Sequence, residues 1–214
     1  MSAARRTQRG ATLIALLVGA AVGLLVMAAA VQALGRQIAE ERRLQLEAQL
    51  QHDLRHAADL VARELRRAGH WGGAARTLTG TANPFDALTS GSATTFAVSR
   101  NAAEGAAPAS TDQAGFRLRH GVIEMLAGGA GWQALTDAGA LQVTRFELTV
   151  RSVPQALPCA QACAAGDATC PPQLWQRQAE LRLGARAAHD ASVQREFTTA
   201  VQLRNGALTG RCPA

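Results

Sequence analysis

The chain has 214 residues, with 22 arginines, no lysine, no tyrosine and a formal net charge of +6. Without lysine, it has neither a Schiff-base lysine nor the lysine of a phosphate-binding P-loop. The arginines are interleaved with 16 acidic residues, and no basic stripe carries interspersed aromatic residues, so we do not expect nucleic-acid binding. Beyond the N-terminal segment, the remaining length suits one domain.

The N-terminal segment carries the strongest local signal. Three arginines and no acid precede Gly10, and the next 25 residues carry no charge. As a helix, the 24 residues from Ala11 to Leu34 would reach about 36 Å, which exceeds a bilayer core of roughly 30 Å. This pattern predicts a membrane span at residues 11–35. The arginines on its N-terminal side are expected to stay cytoplasmic, so the rest of the chain should face out.

The position of Gly10 argues against a secretory signal peptide. Such a peptide has a shorter apolar region, followed by a cleavage site with small residues. Here the only obvious processing point precedes the apolar run, so cleavage after Gly10 would leave that run at the mature N-terminus, beginning at Ala11. A plain signal anchor, in which Gly10 has no role in processing, is the alternative.

Residues 36–69 predict an amphipathic helix that continues from the span into a head. No proline occurs from Ala11 to Ala68, so we expect a nearly continuous helix of about 58 residues and about 87 Å. Gly69 would end it as a C′ glycine. Apolar residues at steps of three and four form one stripe, which consists of Leu50, Leu54, Ala57, Val61, Leu65 and Ala68.

The sequence predicts a β-rich head at residues 70–214. Leu141 to Val150 alternates with one phase slip at Arg145, which predicts a bulge. Similar apolar patterns predict further strands at Thr94–Ser99, Phe116–Arg119, Val122–Leu126, Ala179–Ala187 and Phe197–Leu203. A hairpin turn at His120-Gly121 would join the second and third of these strands. The helix stripe can cover the apolar face of such a sheet. The predicted fold class is therefore α+β, a long N-terminal helix packed on an antiparallel sheet.

The N-terminal segment resembles the class III signal of type IV pilins and type II secretion pseudopilins, because Arg9-Gly10 is followed by Ala11-Thr12-Leu13-Ile14. In that superfamily a prepilin peptidase cleaves after the glycine and methylates the new N-terminus, which here would be Ala11. The family usually has phenylalanine at that position and glutamate at the fifth mature position, which here is Ala15. Ala15 cannot form the ion pair that the glutamate is thought to make with a neighbour's amine.

The run LVARELRRAGHWGG, residues 60–73, resembles the end of the helix in PilW-type minor pilins. WQALTDAGALQVTRFEL and VQLRN also resemble that family and its relative, pseudopilin J of type II secretion. The resemblance implies a minor type IV pilin that acts in pilus assembly or priming, with prepilin peptidase, the inner membrane and other pilins as partners. The alternatives are a minor J-like pseudopilin and an unprocessed, signal-anchored periplasmic domain that binds some ligand.

Four cysteines lie late in the chain, at positions 159, 163, 170 and 212. Export to an oxidising compartment favours disulfides over the alternative, a metal knuckle with Cys212 as its fourth ligand. Four cysteines allow three connectivities, and the sequence does not choose among them. We favour Cys159 with Cys163 and Cys170 with Cys212, since the second bridge would tie the last residues back to the sheet.

No catalytic constellation is predicted, and we expect no enzyme activity, cofactor or metal. The HExxH, GxSxG and P-loop motifs are absent, and Gly128–Gly131 does not connect a strand to a helix, as a phosphate loop does. His52 and His56 have metal-ligand spacing but lie on the polar helix face without a third ligand, so we interpret them as a solvated pair. Trp71 and Trp132 are expected to pack where the helix meets the head.

Overall fold

The computed structural model describes residues 12–79, 81–98, 107–204 and 206–213, with only the backbone at 78 and 79. Within these ranges it has one long helix, α1 (Leu13–Leu65), followed by eight strands. The strands are β1 (Ala93–Ala97), β2 (Gln113–Arg119), β3 (Val122–Ala127), β4 (Trp132–Ala134), β5 (Leu141–Ala156), β6 (Gln173–Ala187), β7 (Gln194–Gln202) and β8 (Ala207–Thr209). The helix packs against antiparallel sheets, so the predicted α+β class is confirmed.

Helix α1 ends close to the predicted position. Its last turn tightens, since the N–H groups of Arg67 and Ala68 donate to carbonyl oxygens three residues earlier, at 3.0 and 2.9 Å. Gly69 follows with φ of +74°, in the left-handed region that a C′ glycine adopts at low cost. The helix is therefore three residues shorter at this end than predicted.

The chain divides into two compact units, residues 1–45 and 46–214. In the first unit, the described residues from Leu13 onward are helical and exposed. The second unit contains the rest of α1 and all eight strands, and it holds the hydrophobic core. The boundaries predicted for a class III leader peptide (residues 1–10), the span (11–35) and the head (70–214) remain sequence predictions.

The first sheet is an antiparallel meander in the order β1-β2-β3-β4. The predicted hairpin joins β2 and β3, with Phe116 opposite Met125 and Arg119 opposite Val122. His120 and Gly121 have φ values of +51° and +77°, as a two-residue turn with the twist of a hairpin requires.

The second sheet has the order β5-β6-β7, and β8 also pairs with β6. The register of β5 against β6 shifts between Val143 and Arg145, which confirms the predicted bulge. The extra residue restores the phase of β5, so that Leu141 and Val143 before it and Phe146 and Leu148 after it are all buried.

Two four-stranded sheets, rather than the single sheet of the sequence interpretation, share the core with α1. They are joined by paired hydrogen bonds between Gly91 and Leu148, at 2.8 and 2.9 Å. The helix stripe predicted from the sequence is buried, with Leu54 1 % exposed and Val61 and Leu65 fully covered. Burial of each large apolar side chain stabilises the fold by about 1.5–3 kcal/mol.

Gly115 in β2 leaves no room for a side chain. A Cβ there would lie 2.6 Å from the Thr94 carbonyl oxygen of β1, a backbone atom that cannot rotate away. We expect Gly115→Ala to lower the free energy of unfolding by about 1–3 kcal/mol in denaturant titrations of the full chain. Gly129→Ala is the control, because nothing lies within 4 Å of its Cβ position. Equal effects of the two substitutions would contradict the clash.

Candidate assembly helix and disulfide-bonded head

The first part of α1 exposes an apolar surface on all sides. Its large apolar side chains are 56–76 % exposed, namely Leu13, Ile14, Leu16, Leu17, Val18, Val22, Leu24, Leu25, Val26, Met27, Val31 and Leu34. Monomeric soluble proteins rarely expose a contiguous apolar surface of this kind, and where they do it marks a protein or membrane contact. In its length and composition, α1 is the one described helix that is able to cross a membrane.

The predicted processing residues, Gly10 and Ala11, lie outside the described residues. Ala15 lies on α1 and is exposed. No acidic residue occurs between it and Glu40, more than six helical turns later. The apolar part of the helix therefore offers no carboxylate to a neighbouring chain.

Two polar contacts border the buried stripe of α1 in the head. Glu47 forms an ion pair with Arg195 of β7. Two turns further on, the guanidinium of Arg55 lies 6.0 Å from the centre of the Phe197 ring on the same strand. Both contacts are partly exposed, so they add little to the stabilisation from the buried stripe.

The residues that follow α1 close its C-terminal end. Trp71 is 2 % exposed and packs with Phe85 and Ala97, which confirms its predicted packing at this junction. A Cβ at Gly73 would lie 2.7 Å from the indole ring, so the ring depends on this glycine. The Asn83 side-chain amide donates to the Gly69 carbonyl at 2.8 Å. Packing therefore explains Trp71 and Gly73 of the WGG motif, whereas a Cβ at Gly72 would meet nothing within 4 Å.

Trp132 packs elsewhere, in β4 of the first sheet. Its partner across the strands is Leu126, and the guanidinium of Arg117 lies 4.2 Å from the centre of its ring. Arg117 also donates to Glu124 at 2.6 Å. The ring is half-buried on the outer face of this sheet, so the predicted position at the junction is wrong for this residue.

All four cysteines form disulfides, Cys159 with Cys212 and Cys163 with Cys170. The pairing that we favoured from the sequence is wrong. Two backbone contacts hold together the segments that the bridges join. Leu157 donates to Pro172 at 2.9 Å and closes the loop that contains Cys159, Cys163 and Cys170. Arg211 donates to Thr169 at 2.9 Å, which holds the segment of Cys212 against the same loop.

These bridges lie where the second sheet extends beyond the core. Residues 151–156 of β5 pair with residues 173–178 of β6, and no residue of either segment belongs to the core cluster. All of residues 151–156 are exposed. Covalent bonds replace hydrophobic burial in such a region, as they do in small secreted domains.

Asp167 organises the loop between the two inner cysteines. Its carboxylate accepts hydrogen bonds from the hydroxyl and the N–H of Thr169, at 2.7 and 2.8 Å. The hydroxyl bond, followed by the N–H bond and the charge of Arg211, lowers the pKa of Asp167. Because the folded-state pKa is depressed, this contribution to stability is present above the ordinary pKa of about 4 and is lost as the pH falls through the folded-state value.

An ion pair that the sequence did not indicate joins Asp86 to Arg177 of β6. The Arg177 side chain is only 14 % exposed, and this burial lowers its pKa. The pair fixes the loop after Trp71 to the second sheet. No local pattern reveals such a pair, because its members are far apart in the chain and each looks like an ordinary surface charge.

His52 and His56, which have metal-ligand spacing in the sequence, do not line a common cavity. His56 lines a cavity of about 250 Å³ together with Asp53 and Asp137, whereas His52 does not line it. Within the described ranges, ligand atoms of three or more His, Cys, Asp or Glu residues converge only at Cys159, Cys163 and Cys170. The cavity therefore lacks the donor set of a metal centre in this structure.

A long N-terminal helix with an exposed apolar first part, packed by its later part on antiparallel sheets, defines a pilin-like protein. The chain belongs to the family of prepilin peptidase-dependent protein B, whose model matches residues 43–203. That match begins after the apolar segment, so the apolar segment and the signal before it are independent observations. No curated protein and no solved structure matches the chain at a significant level.

Proposed function

We propose that the chain is a minor type IV pilin of the PilW type. In this proposal a prepilin peptidase cleaves after Gly10, and the first part of α1 holds the protein in the inner membrane with its head in the periplasm. The protein then joins other pilins through the same helix and primes or supports a pilus. Its role is structural, without catalysis or a cofactor.

The exposed apolar part of α1 is the observation that carries this proposal. Twelve large apolar side chains are more than half exposed there, and each favours transfer from water by about 1.5–3 kcal/mol when fully buried. Lipid and the helices of other pilins both supply an apolar environment. One surface therefore serves first as membrane anchor and then as assembly helix, as a processed pilin requires.

Ala15 sets the kind of pilin that we propose. After cleavage, the amine of Ala11 would lie among apolar helices, where a charge is costly unless a carboxylate offsets its lost hydration. This chain supplies the amine but no carboxylate. Stacking on copies of itself is therefore unfavourable, and the subunit belongs at a fibre end or in a small priming complex, beside a different pilin that carries the glutamate.

Ala15→Glu tests this assignment. We expect the substitution to increase crosslinking between copies of this chain several-fold in membranes, measured with a photo-crosslinker at Val22. Ala15→Gln is the matched control, since it has the same shape without the charge and should remain at the wild-type level.

Two results would count against the proposal. Abundant filaments of the wild-type chain alone would refute the role as a sparse subunit. Recovery of the chain with type II secretion pseudopilins, in preference to type IV pilins, would favour the J-like alternative.

A further inference from the structure

The four cysteine sulfurs form one cluster. The Sγ atoms of Cys159, Cys163 and Cys170 all lie within 4.8 Å of one another. The fourth sulfur, of Cys212, is bonded to that of Cys159. The two disulfides therefore lie side by side, and their four sulfurs come from three segments of the chain.

The spacing between the two disulfides suits a tetrathiolate metal site. Zinc bound to four thiolates at about 2.3 Å places the sulfurs about 3.8 Å apart. The Cys159 sulfur lies no more than 4.8 Å from each sulfur of the Cys163–Cys170 bridge, so on reduction the two bonded sulfurs of each bridge must move apart while the bridges approach slightly or not at all. The Cα atoms of each bridged pair are 5.5 and 5.6 Å apart, so side-chain rotation can open each pair without a large movement of the backbone.

Hydrogen bonds hold the three segments together independently of the sulfur bonds. Leu157 bonds to Pro172 and Arg211 to Thr169, each at 2.9 Å, and Cys170 donates to Asp167 at 3.3 Å. Strand β8 also pairs with the start of β6, where the Trp175 indole donates to the Thr209 hydroxyl at 2.9 Å. None of these hydrogen bonds involves a sulfur atom, so reduction of the disulfides removes none of them directly.

We propose that, when a thiol reductant opens both disulfides, the four cysteines bind one soft divalent cation, Zn²⁺ or Cd²⁺, as a tetrathiolate site. Each disulfide takes two electrons and two protons from a dithiol, which is itself oxidised to a disulfide. The four thiols then release four protons as the cation binds. The same sulfurs thus close the end of the head in two ways, through disulfides when oxidised and through a metal when reduced.

The test uses the purified full chain in detergent, reduced anaerobically with dithiothreitol, freed of reductant and titrated with CdCl₂. We expect native mass spectrometry to show one Cd²⁺ per chain and four protons displaced, and Co²⁺ to give the absorption of a tetrahedral thiolate site. Loss of an outer-shell partner alone lowers metal affinity 10–100-fold. Cys163→Ser and Cys212→Ser should therefore each lower it at least about tenfold.

Three controls decide the result. The oxidised wild type should bind no Cd²⁺, and His52→Ala with His56→Ala should leave the affinity of the reduced chain unchanged. Near-ultraviolet circular dichroism of the tryptophans checks folding, because binding should restore the oxidised spectrum. The proposal is overturned if the reduced wild type binds no metal, if binding survives all single cysteine substitutions, or if one metal bridges two chains.

Discussion

Produced together with a prepilin peptidase, the chain should be recovered from membranes with Ala11 at its N-terminus and one methyl group on that amine. Gly10→Ala should leave the leader attached to nearly all molecules. The substitution leaves the arginines and the apolar run unchanged, so it tests whether cleavage requires the glycine itself, as the resemblance to the prepilin signal implies. Intact mass spectrometry of the membrane-extracted protein measures both outcomes.

A second glycine provides the matched control. Gly19 lies within the apolar helix with nothing within 4 Å of its Cβ position, so Gly19→Ala should be processed like the wild type. Cells without the peptidase should yield the uncut chain. An N-terminus at Met1 in the presence of active peptidase would remove the pilin assignment and favour a simple signal anchor.

Removing the Cys159–Cys212 bridge should destabilise the head more than removing the Cys163–Cys170 bridge. The bridges close loops with sequence separations of 53 and 7. In the chain-entropy model, closing these loops stabilises the folded state by about 4 and about 2 kcal/mol, respectively. Double alanine variants of each pair, unfolded in urea under non-reducing conditions, should show this ranking in the free energy of unfolding.

Disulfide mapping of the wild type belongs to the same experiment. Non-reducing peptide mass spectrometry should find no free thiol and the pairs seen here. A map with Cys159 joined to Cys163 would contradict the structure, and the reverse order of destabilisation would contradict the chain-entropy argument. Equal losses would contradict it as well, because the model makes the loss depend on the length of the closed loop.

The features that the sequence predicted correctly depend on neighbours along the chain. The period of the apolar residues from Leu50 to Leu65 gives the buried helix face, and Gly69 marks its end. One phase slip at Arg145 is enough to predict the bulge, because strand residues alternate between faces. The hairpin at His120-Gly121 follows from two short alternating runs and a glycine.

The sequence patterns missed the extension of the second sheet for a physical reason. Residues 151–156 and 173–178 lie outside the core cluster, so packing does not require apolar and polar residues to alternate there. Their pairing follows from the register that the buried parts of β5 and β6 impose on the rest of each strand.

Local sequence patterns are enough to predict an apolar N-terminal helix, an amphipathic continuation and a β-rich head, because hydrophobic periodicity and turn chemistry act over a few residues. The two sheets of the head, the contact of Asp86 with Arg177 and the bond of Cys159 to Cys212 became visible only in the folded chain. Those contacts join distant segments. Their partners depend on how whole strands dock around one core, which no local pattern records.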